Sequence, residues 1–361
     1  MKKVLIVFNH PAPYKVRLFN ELSKSLDLTV IFERTENKDR SKDFYSENKY
    51  DFKTVKISGL KLGNENIVSR GVRNHIKKNK YDLIVMNGYS QFAEMSAIRY
   101  MQKHEIPYAL FINGGIINKD ESNCKRKIKT KYISKAKFFL SPDQESNKYL
   151  VYYGADESKI YNYPYSTVYE KEISRPMTSE EKNKLREQLN LKGNKVYVSA
   201  GQLIKRKNYQ SLIENWKEMP DDHHLYVFGD GKERKKYLKI VAENHLNNVH
   251  LQAFLTKSEL FKVFNAADVF IFPSSEDIYG HVINEALSQG LPVISNTNVN
   301  SAKKLINDKT GVLTNDFTAK SILESTKKVE KDCKAQDCIN VAKENTVEKM
   351  SDSILKILEA N

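Results

Sequence analysis

Residues 275–290 read SEDIYGHVINEALSQG and set two carboxylates, Asp277 and Glu285, eight positions apart around a single glycine, Gly280. The apolar run DVFIFPS just before them reads as a strand, and the stretch after Gly280 as a helix. Burying an unpaired charge in such an apolar unit is costly. The plainer reading is helix entry, because acids in a first turn suit the helix dipole. Two other strand ends weigh against it. After KVYVSAG comes QLIKRKN, with Lys205, Arg206 and Lys207 ahead of a helix, and after LYVFG comes DGKER. Cations and helix-start amides neutralise phosphates, while carboxylates accept hydrogen bonds from sugar hydroxyls. Together they suit a nucleotide diphosphate.

The elements that must position these groups alternate along the whole chain. KVLIVF (3–8), LTVIF (28–32), TVKI (54–57), DLIVMN (82–87), PYALFIN (107–113) and KFFLSP (137–142) read as strands separated by amphipathic stretches. The Tyr/Pro-rich passage 160–176, IYNYPYSTVYEKEISRP, has no clear period and reads as an interdomain connection. The alternation restarts with KVYVSAG (195–201), HLYVFGDG (224–231), VHLQAF (249–254), DVFIFPS (268–274), PVIS (292–295) and GVLT (311–314). Two such sets predict an α/β protein with two doubly wound, parallel-sheet, Rossmann-like domains, 1–165 and 166–361. Ligands in such sheets lie beyond the carboxyl ends of the strands, so the default site is a cleft across which the domains face. The tail VEKMSDSILKILEAN predicts an amphipathic helix over about 346–360, which is expected to pack back on the first domain.

At 361 residues, 40% hydrophobic and 29% charged, the composition is that of a folded globular chain. The longest apolar runs are far shorter than the ~20 residues of a membrane helix. The start MKKVLIVFNHP ends its apolar stretch too early for a signal peptide, so a cytoplasmic protein is expected. Cys124, Cys333 and Cys338 have no metal or redox spacing. DDHH (221–224) reads as a polar turn rather than a metal site. The net charge of +14 is lopsided: residues 1–165 hold 30 basic against 18 acidic side chains, and the rest 29 against 27. The excess concentrates in 119–137, with eight basic residues against two acidic. That asymmetry suits a large anionic partner. An anionic membrane surface and nucleic acid are the physical candidates, beside an ordinary solvated helix.

SAGQLIKRKN, YVFGDGKER, LQAF, ELFKVFNAADVFIFPSSEDIYGHVINEALSQGLPVISN and NDKTGVLT together resemble the C-terminal domain of the retaining family 4 glycosyltransferases of the glycosyltransferase group 1 superfamily. Their two-domain plan is the GT-B fold. The resemblance covers essentially the whole chain, with the specific motifs in 196–314. It implies that Glu285 holds the ribose hydroxyls of the nucleotide and that Asp277, first acid of an E-x7-E motif, meets the donor sugar, with Glu276 as a competitor. It implies close backbone approach at Gly280, with Tyr279, Gly280 and His281 facing the sugar or diphosphate. The family's phosphate Arg and Lys fall on Gln202 and Lys207, after Gly201. Lys207 is expected to bind phosphate, with Arg206 compensating for the uncharged Gln202. Gly229 is expected to mark a turn near the donor, and the Phe254-Leu255 backbone to read the base edge.

In the first domain the turn FNHPAPYKVRLFNEL lacks a glycine cradle, and Pro11 and Pro13 stiffen it. His10, Tyr14, Lys15 and Arg17 there are candidates for gripping an acceptor. Asn113 stands where many relatives carry a histidine near the reacting centre, and the Gly114 and Gly115 amides are expected to face phosphates. The resemblance implies transfer of a sugar, UDP-linked by family frequency, to a hydroxyl of a glycan or lipid-linked acceptor in surface-polysaccharide assembly. The acceptor attacks from the face that the diphosphate leaves. Asp277, Glu285, Lys207 and Asn113 are the expected catalytic set. No cofactor or metal is expected, since no Asp-x-Asp pair occurs. The basic stretch 119–137 is expected to dock on the inner face of the cell membrane. A sugar-nucleotide 2-epimerase of the same fold is the rival enzyme. A nucleic-acid binder is the distant third, having no aromatic-interleaved basic motif.

Overall fold

The computed structural model describes residues 1–34, 45, 49–57, 60–62 and 66–361. The chain divides into two compact units, 1–166 with 347–361, and 167–346.

Among the described residues the first unit is built on seven parallel strands: β1 (Lys3–Phe8), β2 (Asp27–Phe32), β3 (Lys53–Lys56), β6 (Leu83–Met86), β7 (Ala109–Phe111), β8 (Phe139–Ser141) and β9 (Ile160–Asn162). Their order is β3-β2-β1-β6-β7-β8-β9. Separately, β4 (Leu60–Leu62) pairs antiparallel with β5 (Asn66–Val68). The crossovers are α1 (Pro13–Ser23), α2 (Gly71–Lys78), α3 (Phe92–Lys103), α4 (Asn123–Ile133) and α5 (Gln144–Tyr152). In β1, Val4, Leu5, Ile6, Val7 and Phe8 are all buried, because helices cover both faces of a parallel sheet. Pro13 opens α1, where its missing N–H costs nothing. The Glu94 carboxylate caps α3 by accepting from the Ser90 and Gln91 amides at 2.9 and 3.0 Å. The last helix, Val347–Ala360, packs against α1, and the Lys2 ammonium donates to the Leu358 carbonyl at 2.6 Å.

The second unit holds six parallel strands: β10 (Lys195–Ala200), β11 (His223–Phe228), β12 (Val249–Gln252), β13 (Val269–Phe272), β14 (Val293–Ser295) and β15 (Gly311–Leu313). Between them lie α7 (Tyr209–Asn215), α8 (Arg234–Glu243), α9 (Lys257–Ala266), α10 (Val282–Ser288) and α11 (Asn300–Leu305). Helix α6 (Ser179–Gln188) precedes the sheet, and α12 (Ala319–Asp332) and α13 (Ala335–Lys343) follow it, leaving the last helix as α14. The order β12-β11-β10-β13-β14-β15 reverses direction at β10. Each fully buried aliphatic side chain in such a sheet contributes about 1.5–3 kcal/mol. The single tryptophan, Trp216, is also wholly buried, and its indole N–H donates to the His223 carbonyl at 3.1 Å. The loops after β10 and β13 flank the reversal, where an open parallel sheet leaves a crevice at its carboxyl edge.

Two parts of the chain depart from the sequence reading. The Tyr/Pro-rich passage begins not as a linker but as β9, a short edge strand paired with β8. Beyond β9, Tyr163 and Tyr165 are buried, and their hydroxyls donate to the Ile112 carbonyl at 3.0 Å and Asn113 Oδ1 at 3.1 Å. The strand read from 224 begins at His223, so both histidines of DDHH belong to β11, and His224 Nδ1 lies 2.9 Å from His250 Nε2 on β12.

Candidate active site

In the second unit, the turn after β10 and the turn after β13 are stitched together by one carbonyl. Arg206 O accepts from the Ser275 amide and hydroxyl, each at 2.9 Å, and from the Ser274 hydroxyl at 3.3 Å. The short 3₁₀ turn Lys205–Lys207 is thereby held beside Asp277. The Lys207 ammonium is buried, lies 4.5 Å from the Phe272 ring centre and makes an ion pair with the Asp277 carboxylate. Arg206 is half-exposed. Its guanidinium donates to the Glu276 carbonyl at 3.1 Å and stands 3.8 Å from Asp277. So Asp277, and not the exposed Glu276, is the acid that faces these cations.

The glycines sit where a side chain has no room. A Cβ on Gly229 would come within 1.9 Å of the Gly201 carbonyl, and Gly229 has φ +150°. The ends of β10 and β11 therefore run in contact, with the Gly201 amide donating to the Phe228 carbonyl at 3.0 Å. Gly280, at φ +87°, would drive a Cβ to 2.8 Å from Val299 Cγ1. Its carbonyl accepts from the Ser301 hydroxyl at 2.9 Å, and the Tyr279 carbonyl accepts from the Ser301 amide at 2.9 Å. Next to it the Tyr279 and His281 rings lie 4.9 Å apart. Helix α10 follows, and one turn in it carries Glu285. Glu285 is half-buried, and its Oε1 accepts from the Thr167 hydroxyl at 2.7 Å. Gln202 is half-buried beside Gly201, Phe254 is 61% exposed, and Leu255 packs on the core. Lys207, Arg206, Asp277 and Gly280 thus share one corner of the sheet, in reach of a phosphate and a polyol.

In the first unit the strand ends carry amides. Asn113 Nδ2 donates to Asn87 Oδ1 at 2.7 Å, and Asn113 Oδ1 accepts from the Tyr165 hydroxyl. Both ends of the Asn113 amide are therefore engaged, and Asn87 and Tyr165 join it as residues that the motif reading did not reveal. Gly114 has φ +129°, and a Cβ on Gly115 would enter the Tyr149 ring at 2.4 Å, so Gly115 is required for packing. His10 Nδ1 lies 3.2 Å from the Tyr45 hydroxyl, while Tyr14 and Arg17 are half-buried. Lys15 does not line the turn. It is wholly buried, with the Phe111 and Tyr165 ring centres 4.2 and 4.4 Å from its ammonium and Phe8 and Tyr14 beyond them. The helical period of α1 turns it inward, and desolvation holds its pKa well below the ordinary lysine value. Within 119–137, Lys129 is likewise diverted, to Glu121 at 2.7 Å and the Tyr153 hydroxyl at 2.9 Å. The other basic side chains of that stretch are exposed, beside Ile128.

Residues 181–358 match the family described as glycosyl transferases group 1. Lipopolysaccharide core biosynthesis glycosyltransferase LpsE of Rhizobium meliloti is 33% identical over 101 residues, 28% of this chain and 29% of that protein. Alpha-galactosylglucosyldiacylglycerol synthase of Streptococcus pneumoniae is 28% identical over 129 residues, 34% of each. The chain thus spans about a third of the length of these curated relatives. Among solved structures, HepE of Anabaena in complex with UDP superposes with a TM-score of 0.81 at 16% identity, over 99% of this chain and 100% of that one. WaaG, a glycosyltransferase involved in lipopolysaccharide biosynthesis, gives 0.71 at 14% identity over 99% and 100%. The fold is GT-B.

Proposed function

We propose, for a chain whose residues 181–358 match the group 1 glycosyl transferases, that it moves a sugar from a nucleotide-diphosphate donor to a hydroxyl of a glycan or lipid-linked acceptor, with retention of the anomeric configuration. The observation that carries this is the meeting of Lys207, Arg206 and Asp277 at the sheet's reversal, with Glu285 one turn into helix α10, which follows in the chain. Lys207 and Arg206 take the diphosphate, Glu285 the ribose and Asp277 the donor sugar. Gly280 lets the chain approach without a side chain between. The leaving phosphate accepts the acceptor's proton, while the fixed cations stabilise the charge that grows on it. Asn113, fastened to Asn87 and Tyr165, presents a rigid amide edge at the end of β7. UDP is the favoured nucleotide, supported by HepE, whose structures hold UDP and UDP-glucose.

The acceptor belongs to surface-glycan assembly, in keeping with the lipopolysaccharide and glycolipid enzymes among the relatives. Among the described residues no helix is long and apolar enough to cross a membrane. The exposed cations of 119–137 attract an anionic leaflet, each contributing about 1 kcal/mol near the surface. The protein then works at the inner face of the membrane as a peripheral enzyme. It needs neither cofactor nor metal, and nucleic acid is not its partner.

Calorimetric titration of UDP, GDP and ADP, first in chelator and then in magnesium, tests the donor reading. Micromolar binding of one nucleotide in chelator is the expected result. Binding only with magnesium overturns metal independence, and no binding overturns the donor site. Conversion of the donor sugar without any acceptor would instead identify an epimerase.

A further inference from the structure

The segment that opens the second unit lies in the aperiodic passage and carries no motif, yet it reaches one of the two acids. Thr167 is buried, and its hydroxyl lies 2.7 Å from Glu285 Oε1. A carboxylate has no proton to give, so the hydroxyl is the donor. Glu285 Oε2 makes no hydrogen bond among the described residues.

Thr167 is held firmly. Its own carbonyl accepts from the Lys257 ammonium at 2.7 Å, and the same ammonium pairs with Glu172 at 2.7 Å. The Glu172 carboxylate accepts from the Tyr169 amide at 2.8 Å, and the Glu172 carbonyl from Gln289 Nε2 at 3.0 Å. Ser174 donates its amide to the Ser288 carbonyl at 3.0 Å, which ties the segment to the end of α10. Between these ties Val168 is wholly buried in the core cluster that includes Ile283, Ala286 and Leu287 of α10. A hydroxyl on so fixed a backbone is a preset donor, since little rotamer freedom is left to lose when it bonds.

We propose that Thr167 is a positioning residue for the nucleotide ribose, acting through Glu285: its hydroxyl fixes the carboxylate by Oε1 and leaves Oε2 to accept from the ribose hydroxyls. This rests on the reading of Glu285 as the ribose acid. A glutamate free to rotate offers the same charge but must be ordered at each binding event, whereas one held at Oε1 is already aimed. The arrangement explains why a buried threonine hydroxyl with no role in the fold's ladders meets a helix residue 118 positions away.

The test compares wild type with Thr167→Val, Thr167→Ser and Glu285→Gln by calorimetry, using UDP and 2′,3′-dideoxyuridine diphosphate, which lacks the hydroxyls in question. If the wild type does not bind UDP, GDP or ADP with its own dideoxy partner is used. Thr167→Val is expected to weaken UDP binding about fivefold, the scale of one hydrogen bond to a charged group acting at second hand. Thr167→Ser restores it, and the dideoxy nucleotide binds wild type and Thr167→Val alike. Equal weakening of both ligands by Thr167→Val means a general structural role and overturns the proposal. If Glu285→Gln weakens UDP while Thr167→Val does not, the proposal alone fails. If Glu285→Gln also leaves UDP binding unchanged, or no nucleotide binds the wild type, the reading of Glu285 fails with it.

Discussion

Lys207 and Asp277, assigned to the phosphates and to the donor sugar, are each other's partner: the buried ammonium is bound to the carboxylate. A donor entering here must divide that pair, drawing the cation toward the diphosphate and leaving the acid to the sugar. Asp277→Asn releases Lys207 from its competitor, so bare UDP is expected to bind about threefold tighter. Turnover of the UDP-sugar should fall about 100-fold, because the contact to the reacting sugar is lost. Titration with UDP beside initial rates checks both, and weaker UDP binding would reverse the roles given to the two residues.

Lys207→Met removes the cation and leaves Asp277 half-buried, with the Tyr279 amide at 3.4 Å and the Arg206 guanidinium at 3.8 Å beside it. UDP affinity is expected to drop about 30-fold, on the scale of a charged hydrogen bond. Unchanged affinity would move the phosphate site away from this loop.

Tyr165→Phe removes the donor that holds Asn113 Oδ1 while keeping the buried ring. UDP binding should stay as it is, and kcat should fall about fivefold as the Asn113 amide loosens against Asn87. Equal losses in UDP binding and in kcat would assign Tyr165 to packing alone.

Glu33, at the end of β2, is 4% exposed and neither carboxylate oxygen has a hydrogen-bond partner among the described residues. Burial first, and then the neighbouring Glu94 carboxylate, push its pKa up from 4.5 to about 9, against the pull of Arg34. In the folded state it therefore keeps a proton that the unfolded chain releases. Its contribution to stability declines as pH rises from about 4.5 toward about 9. Lys15 acts in the opposite sense. Its lowered pKa makes folding easier as pH rises through that lowered value toward 10.5. Comparing wild type with Glu33→Gln isolates the first effect. The fall in thermal midpoint between about pH 5 and about pH 8 should be smaller in the variant. Parallel curves would mean that Glu33 ionises in the folded protein at its ordinary pKa.

Gly280→Ala puts a methyl against Val299 at a φ of +87°. A cost of about 2 kcal/mol is expected from strain at such a position. A chemical-denaturation midpoint measures it, and an unchanged midpoint would show that the Val299 side chain yields freely.

Both sheets were legible because their central strands are unbroken apolar runs. KVLIVF and KVYVSA are covered on both faces. β9 was not legible: Ile160–Asn162 has two half-buried residues and no apolar run, and its place is set by pairing with β8. The approach of Lys207 to Asp277 follows from two loops meeting where the strand order reverses, which sequence spacing leaves open. Lys15 escaped because lysines on entry turns are ordinarily solvated, and only the aromatic rings arriving from Phe111 and Tyr165 enclose it. Thr167 had no signal beyond an aperiodic neighbourhood. Its partner lies across the fold on α10.

The first unit is assembled from residues 1–166 and 347–361, while 167–346 are continuous. During synthesis the second unit has all its strands and helices before α14 exists. The first unit at that stage has its sheet but lacks the helix that covers α1. It is then an incomplete globule with an uncovered apolar face on α1, and it closes only when the last fifteen residues arrive from the other end of the chain. The unit whose sheet is translated first therefore cannot be completed until residues 347–361 have also been made.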